Sequence, residues 1–314
     1  MENLIFSINV VLPMLLLLLI GFVLRRTNLI NDNFISVANK LCFKVALPVL
    51  LFQNIYTADL ASSMNGPLML YAVCILLGIA ALLFVVVPLF TKDNTKRGVL
   101  IQCGFRSNFI LFGLPVAQNL FGEEGAAVCA MVIAVIVPLF NVLAVIALAV
   151  FSSGEGKISL KGILKNIVTN PIILGAVAAF VLKALPFPVP RCLMQTVGDI
   201  SKLATPLALL ALGGQFKFES VGRHLRYLIF GVATRLVAVP VIGLSIAVAL
   251  GFRHYELGAL LTMLASPVAV SSYTMALEMK GDGELAGALV VFTSAFSILT
   301  MFLFIFTLKS LGLI

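Results

Sequence analysis

This sequence has few charged residues and few of the side chains that enzymes and metal sites use. Among its 314 residues there is no tryptophan, there are two histidines, and Asp, Glu, Lys and Arg together make up only 11%. Because soluble domains carry roughly 25% charged residues, this composition excludes an ordinary soluble protein. The five cysteines are scattered and form no CxxC pair, so neither a disulfide framework nor a zinc motif is indicated.

Sequence motifs for enzymatic chemistry and for ATP-driven work are also missing. The chain has no HExxH motif and no GxxxxGK[ST] phosphate-binding loop, and His224 and His254 both stand near loops. All 13 acidic residues lie in loops or near the ends of apolar runs. No carboxylate is therefore placed where a dedicated proton or sodium relay would need one. We expect a protein that is not an enzyme and that holds no metal and no cofactor.

Long apolar runs dominate the rest of the sequence. Hydrophobic residues make up 61% of the chain, and a helix needs about 20 consecutive apolar residues to cross the hydrocarbon core of a bilayer. Ten such runs follow one another at 5–24, 36–56, 67–90, 98–120, 124–151, 162–182, 196–216, 227–250, 257–278 and 285–308. Spanning strands would be half as long and would alternate. The sequence therefore predicts an all-α integral membrane protein with about ten transmembrane helices.

The basic residues are concentrated at one end of these runs. Most of them follow odd-numbered runs, at Arg25, Arg26, Lys92, Lys96, Arg97, Lys157, Lys161, Lys165, Lys217, Arg223, Arg226 and Lys280. The other loops carry mainly Lys183, Arg191, Arg253 and Lys309. By the positive-inside rule, the first set is cytoplasmic and both termini lie outside. This placement accounts for the net charge of +8, so no nucleic-acid partner is needed.

Two pairs of short motifs repeat in register in the two halves of the chain. KVALPV at 44–49 matches KLATPL at 202–207, and GLPVAQN at 113–119 matches ASPVAVS at 265–271. The separations are similar, 67 residues from Pro48 to Pro115 and 61 from Pro206 to Pro267. Five runs per half is an odd number, so the second repeat (162–314) must lie inverted relative to the first (1–151), with a short cytoplasmic loop at 152–161. Inverted repeats with paired helix breaks are typical of secondary transporters and point to their binding sites.

Pro115 and Pro267 are the predicted helix breaks. A proline inside a helix removes one N–H and displaces the carbonyl four residues earlier. The half-helix that restarts presents free N–H groups and a positive dipole end, which suit an anion. Neighbouring polar groups and Arg235, a counter-charge for the substrate or for the fold, complete the predicted substrate site. Its members are Asn108, Gly113, Leu114, Pro115, Val116, Gln118, Asn119, Asn141, Arg235, Ser266, Pro267, Val268 and Ser271.

Each of these features also has a purely structural interpretation. Prolines commonly kink membrane helices without forming a site, and Asn108 would serve equally well in an interhelical hydrogen bond. Arg106, in the fourth run, and Arg235 are the most notable cations inside apolar runs, and a charge within the membrane indicates a functional role. The structural interpretation of Arg106 is that its charged end reaches to the cytoplasmic surface. The matched pair of prolines favours the functional interpretation over a single kink.

The segments NKLCFKVALPVLLF at 39–52 and SNFILFGLP at 107–115 resemble the auxin efflux carrier family, which includes plant auxin carriers and bacterial malate and malonate permeases. The resemblance runs along nearly the whole chain and implies a fold similar to bile-acid symporters and sodium/proton antiporters. In that fold, helices 1, 2, 6 and 7 form a scaffold, and helices 3–5 and 8–10 form a transport domain with crossover helices 4 and 9. By matching position, Asn108, Pro115 and Pro267 form the core of an anion site that moves between the two faces like an elevator.

Together these observations predict a secondary transporter in the inner (plasma) membrane of a bacterium. Its substrate would be a small organic anion, either a dicarboxylate such as malate or malonate or an auxin-like carboxylate. The partners considered are that anion, the lipid bilayer and a second copy of the chain in a homodimer. The alternatives are a sodium- or proton-coupled carrier of another solute on the same fold, and a membrane sensor that does not transport.

Cysteines introduced one at a time test the predicted orientation. With the native thiols replaced, Asp59→Cys should react with a membrane-impermeant maleimide in intact cells. Lys157→Cys should react only after the membrane is permeabilised, because the positive-inside rule places these two positions on opposite faces. The reverse pattern of labelling would overturn the topology.

Overall fold

The computed structural model describes residues 2–57, 65–152, 164–165, 167–184, 189–216 and 218–314, and these residues form helices but no strand. The all-α fold agrees with the sequence prediction. Five helical stretches in this part of the chain are long and apolar enough to cross a membrane, Asp32–Thr57, Gly66–Phe90, Phe109–Phe151, Val221–Ala249 and Gly283–Ser310. The predicted loop at 152–161, apart from the helical Ser152, and the labelling positions Asp59 and Lys157 lie outside the described residues.

The helices are labelled here in chain order. They are α1 (Glu2–Arg26), α2 (Asp32–Thr57), α3 (Gly66–Phe90), α4 (Asn94–Phe105), α5 (109–121), α6 (123–152), α7 (Pro171–Ala184), α8 (Arg191–Gln215), α9 (218–249), α10 (His254–Ala265), α11 (Ser271–Glu278) and α12 (Gly283–Ser310). Gly122 separates α5 from α6, because its φ of 66° and ψ of −153° lie outside the helical region. Glycine tolerates this positive φ without the steric cost of a side chain.

Two of the predicted apolar runs are each divided into two helices. Run 98–120 forms α4 and α5, which are separated by the non-helical residues 106–108. Run 257–278 forms α10 and α11, which are separated by residues 266–270. With 12 residues in α10 and 8 in α11, each of these helices is too short to cross the roughly 30 Å hydrocarbon core alone.

Three turns of widened, π-type helix occur in α2, α5 and α9, and each ends two residues before a proline. The turns are Cys42–Ala46, Phe109–Gly113 and Thr234–Ala238, and the prolines are Pro48, Pro115 and Pro240. A proline ring clashes with the carbonyl four residues earlier. The wider turn moves that carbonyl away from the ring, so the helix continues through the proline.

The prediction that Pro115 breaks its helix was wrong. The N–H of Leu114 donates to the carbonyl of Phe109 across the widened turn, and α5 then continues through Pro115 as far as Gly122. The actual break ends at Asn108, seven residues earlier in the chain. Pro267 does lie in the break between α10 and α11, as predicted.

Glycines bring two pairs of helices into backbone contact. A Cβ atom added to Gly213 of α8 would lie 2.0 Å from the carbonyl oxygen of Leu18 in α1, and one added to Gly21 would lie 2.2 Å from that of Leu210. A Cβ on Gly175 of α7 would lie 2.6 Å from the carbonyl oxygen of Pro48 in α2. Only hydrogen fits at these positions, as at other close crossings of membrane helices. The α1–α8 and α2–α7 pairs are therefore in backbone contact, with no room for a side chain between them.

Gly213→Ala should destabilise the protein, because its methyl group would force α1 and α8 apart. Overpacking of this kind costs about 1–3 kcal/mol, and we expect a lower melting temperature of the purified protein in detergent. Gly78→Ala is the matched control, since a Cβ there meets nothing within 4 Å and alanine favours the helix. Equal melting temperatures for the two variants would contradict the close crossing.

Candidate functional site

The two broken helices, α4/α5 and α10/α11, meet at their breaks, and this contact between residues 106–108 and 266–270 is called the crossing below. The backbone N–H of Asn108 donates to the carbonyl of Pro267 at 2.7 Å, and Ser107 and Val268 form an isolated antiparallel bridge. The N–H of Val268 donates to the hydroxyl of Thr293 in α12 at 3.1 Å. Non-helical backbone at membrane depth needs partners within the protein. The two breaks supply partners for each other.

Arg235, in the widened turn of α9, holds the helix ends on one side of this crossing. Its side chain is only 1% exposed, and each of its five N–H groups donates to a backbone carbonyl at 2.7–3.3 Å. The acceptors belong to the last residues of α4 and to the end of α10, namely Gly104, Phe105, Met263, Leu264 and Ser266. These carbonyls are the unsatisfied, negative ends of two helix dipoles. The guanidinium therefore caps both helices at once.

This arrangement separates Arg235 from ligand binding. A guanidinium has five N–H donors, and those of Arg235 are all engaged by the backbone. Of the two roles predicted for it, the structure supports the counter-charge for the fold and gives no donor for a substrate.

A cavity of about 490 Å³ lies on the other side of the crossing, between the breaks and helices α1, α2 and α8. Its volume falls within the range of small-molecule sites. The polar residues that line it are Asn54, Arg106, Ser107, Asn108, Asn141, Ser201, Lys202, Thr205 and Ser271. Apolar side chains from α1, α2, α6 and α8 complete the wall, and no Asp or Glu of the described residues belongs to the lining.

Arg106 is the buried cation of this cavity. Its residue is 4% exposed, and its guanidinium donates to Asn141 Oδ1 at 2.7 Å, to Ser271 Oγ at 2.8 Å and to Met275 Sδ at 2.6 Å. Among the described residues no carboxylate pairs with it, and two of its five N–H groups have no acceptor. A buried charge is costly unless it is paired. The neighbouring side chains thus hold Arg106 in place without neutralising it.

Both restarting half-helices begin at the wall of the same cavity. Asn108 is the N-cap of α5, and residues 109–111 of its first turn line the cavity. Residues 269–271, where α11 begins, line it from the second break. The first turn of a helix carries the positive end of its dipole. In α11 the N–H groups of Ser272 and Tyr273 already donate to the carbonyls three residues earlier, so this start contributes mainly through the dipole. Arg106 and the two helix starts therefore make this part of the cavity electropositive.

Apart from Arg235, the predicted site residues fall into three groups in the structure. Asn108, Asn141 and Ser271 line the cavity, and Ser266, Pro267 and Val268 are buried in the crossing beside it. The remainder lie further along α5, because the break precedes Pro115 by seven residues; they are Gly113, Leu114, Pro115, Val116, Gln118 and Asn119. Gln118 is exposed and donates to Glu123 at 3.0 Å, well away from the cavity lining.

Several lining residues escaped the sequence analysis. Arg106 is absent from the predicted site because its surface interpretation was favoured, although its position inside an apolar run indicated a functional charge. Ser107, whose buried hydroxyl has no hydrogen-bond partner, follows Arg106 directly. Ser201 directly precedes the repeated motif at 202–207, and Thr205 lies within it; the motif itself predicted only a match between the two halves. In the part of the chain that is described, no three His, Cys, Asp or Glu side chains come together as a metal site.

Arg235→Lys should destabilise the protein strongly. Lysine has three donors instead of five, so at least two of the capped carbonyls lose their partner. Each buried carbonyl left without a partner costs about 1–3 kcal/mol of folding free energy. The melting temperature in detergent measures this loss. Arg253→Lys is the control, because Arg253 is only partly buried and binds two carbonyls. A melting temperature for Arg235→Lys as high as that of the control would show that the capping contributes little.

Known proteins resemble this chain over most of its length. An uncharacterized transporter of Methanocaldococcus jannaschii is 23% identical over 303 residues, which cover 93% of this chain and 96% of the relative. An uncharacterized transporter of Methanothermobacter thermautotrophicus is 24% identical over 303 residues, which cover 94% and 96%. Residues 6–305 match the family described as membrane transport protein. The chain therefore belongs to this family of auxin efflux carrier-like membrane transporters.

Proposed function

We propose that the protein is a secondary transporter that carries a small organic anion and binds its charged group beside Arg106. The observation that carries this proposal is the buried guanidinium of Arg106, which has no carboxylate partner among the described residues and stands in a cavity that none of their carboxylates lines. An anion entering the cavity would supply the missing negative charge. Its oxygen atoms would also accept hydrogen bonds from the N–H groups of Arg106 that have no partner among the described residues. The anion would lie close to the N-terminal ends of α5 and α11.

The rest of the cavity suits the body of an organic acid. Leu17, Leu50 and Phe140 are among the apolar side chains of its wall, and they would exclude water from the bound molecule. For a dicarboxylate such as malate or malonate, Lys202 on α8 is a second cation in the same lining. Its ammonium now pairs with Asp199 at 3.2 Å, and the second carboxylate would take the place of that partner. An auxin-like carboxylate would instead place its ring against the apolar wall. Both belong to the proposed substrate class.

Alternating access by an elevator movement is the mechanism we propose. In this scheme the chain forms two inverted repeats of five membrane-spanning helices, with both termini outside a bacterial plasma membrane. The broken pairs α4/α5 and α10/α11 are its crossover helices, and their antiparallel contact supports this scheme. The immobile scaffold would consist of α1, α2, α7 and α8. The glycine contacts that join α1 to α8 and α2 to α7 support that division.

Electrical recording on a solid-supported membrane tests the function directly. Liposomes with the purified protein are challenged with malate, malonate, succinate, lactate and indole-3-acetate, with and without sodium or pH gradients, and tracer exchange detects electroneutral transport. Arg106→Gln should weaken the response to the transported acid about tenfold to a hundredfold, because hydrogen bonds to a charged group contribute about 1.5–3 kcal/mol. The variant must remain folded in detergent.

Arg253→Gln is the matched control for charge, since Arg253 lies outside the cavity lining. It should transport like the unaltered protein. Full activity of Arg106→Gln would refute the anion site. Silence for every acid, in current and in tracer exchange, would favour a cation-coupled carrier of another solute or a sensor without transport.

A further inference from the structure

A second cavity, of about 680 Å³, lies at the other end of the helices that line the first. Helices α1, α2, α8 and α11 contribute to both. On α1 the first cavity is lined by Pro13, Met14 and Leu17, and the second is lined by Phe22, Arg25 and Arg26. On α8 the first cavity is lined by residues between 201 and 209, and the second is lined by Gly214 and Gln215 and by Phe216 directly after the helix. The two cavities are therefore stacked along the same helices, with a barrier between them.

The barrier is thin. The five residue steps from Leu17 to Phe22 on α1 correspond to about 8 Å at 1.5 Å per residue. The five steps from Leu209 to Gly214 on α8 give the same thickness. At this level lie the tight glycine contacts, Gly213 against Leu18 and Gly21 against Leu210. Since the backbones of α1 and α8 are in contact there, no gap between these two helices connects the cavities on that side.

Tyr273 of α11 closes the barrier from the opposite side. Its side chain is 1% exposed, and its hydroxyl donates to Oε1 of Gln215 in α8 and accepts the Nδ2–H of Asn39 in α2 at 3.4 Å. Gln215 and Asn39 both line the second cavity. Tyr273 itself stands between residues 269–271, which line the first cavity, and residues 277–278, which line the second. One hydroxyl thus ties α11 to both α2 and α8 at the floor of the second cavity.

We propose that the second cavity is the vestibule of the same pathway on the opposite face, and that Tyr273 is the latch that keeps it closed. The inference rests on the proposed transport function. In this structure the latch is engaged, and the substrate site is separated from the vestibule that holds Arg25 and Arg26. Movement of α11 relative to α2 and α8 must break both hydrogen bonds of Tyr273, and the two cavities then become continuous.

Tyr273→Phe removes the hydroxyl, and with it both hydrogen bonds of the latch, but keeps the aromatic ring. The variant therefore tests the hydrogen bonds without leaving a space in the barrier. Of the two bonds, the one from Asn39 is long at 3.4 Å. Loss of a single well-formed neutral hydrogen bond shifts an equilibrium by about twofold to tenfold. A single reporter, Thr205→Cys in the lining of the first cavity, is placed in a chain whose native cysteines are replaced by alanine, at positions 42, 74, 103, 129 and 192. A membrane-impermeant thiosulfonate is then applied from each face in turn, in right-side-out and inverted vesicles.

Tyr273→Phe should raise the labelling rate of the reporter about twofold to tenfold from the face that carries Arg25. Tyr71→Phe is the matched control, because Tyr71 is also buried and donates to the carbonyl of Gly243 in α9, away from the barrier. It should leave that rate unchanged. Gln215→Leu, which removes the acceptor and keeps the tyrosine, should act in the same direction as Tyr273→Phe.

Equal labelling rates for Tyr273→Phe, Gln215→Leu and the Tyr71→Phe control would overturn the latch. Labelling needs no substrate, so this result is independent of the transport assay. Unchanged labelling in a protein that transports an acid would refute the latch alone. Faster labelling in a protein that transports none of the acids would refute the anion proposal and leave the latch standing.

Discussion

Five backbone carbonyls that converge on one guanidinium are the constraint on which this structure depends. Two helices that end inside a membrane leave their last carbonyls without partners, and the bilayer offers no water to replace them. Arg235 supplies five N–H groups in one plane and satisfies the ends of α4 and α10 together. Because the C-terminal ends are held in this way, the chain can be interrupted at both places without exposing unpaired backbone groups.

The comparison of Arg235 with Arg106 shows how two buried arginines in one protein take different roles. Both lie near the crossing and neither has a carboxylate partner among the described residues. Arg235 is saturated by backbone carbonyls. Arg106 is held by an amide, a hydroxyl and a thioether, and two of its N–H groups have no acceptor in the part of the chain that the structure describes. The first compensates the negative ends of helices. The second stands beside the positive ends of two others, which is an unfavourable position for a cation unless an anion joins it.

Much of the architecture could be predicted from the sequence, because hydrophobicity over about 20 residues is a strong signal. The helical stretches follow the apolar runs, and Pro267 marks one break correctly. Pro115 misled the prediction of the other break. A proline removes one hydrogen bond, but a widened turn at Phe109–Gly113 absorbs the distortion, and nothing in the local sequence distinguishes an absorbed proline from a break. The actual break at Arg106–Asn108 has no proline and depends on partners from α9 and α10, which are distant in the chain.

The widened turns also affect which face a helix presents. A π-type turn holds one residue more than an α-helical turn, so every residue after it is rotated by about 100° relative to an uninterrupted helix. In α2 this turn is Cys42–Ala46, and Leu47, Leu50, Leu51 and Asn54, which line the first cavity, all come after it. A helical wheel drawn with constant pitch through Asp32–Thr57 would direct these four side chains to the wrong side. Loss of one residue from that turn would leave the composition of α2 almost unchanged and would turn its cavity-lining face towards the neighbouring helices.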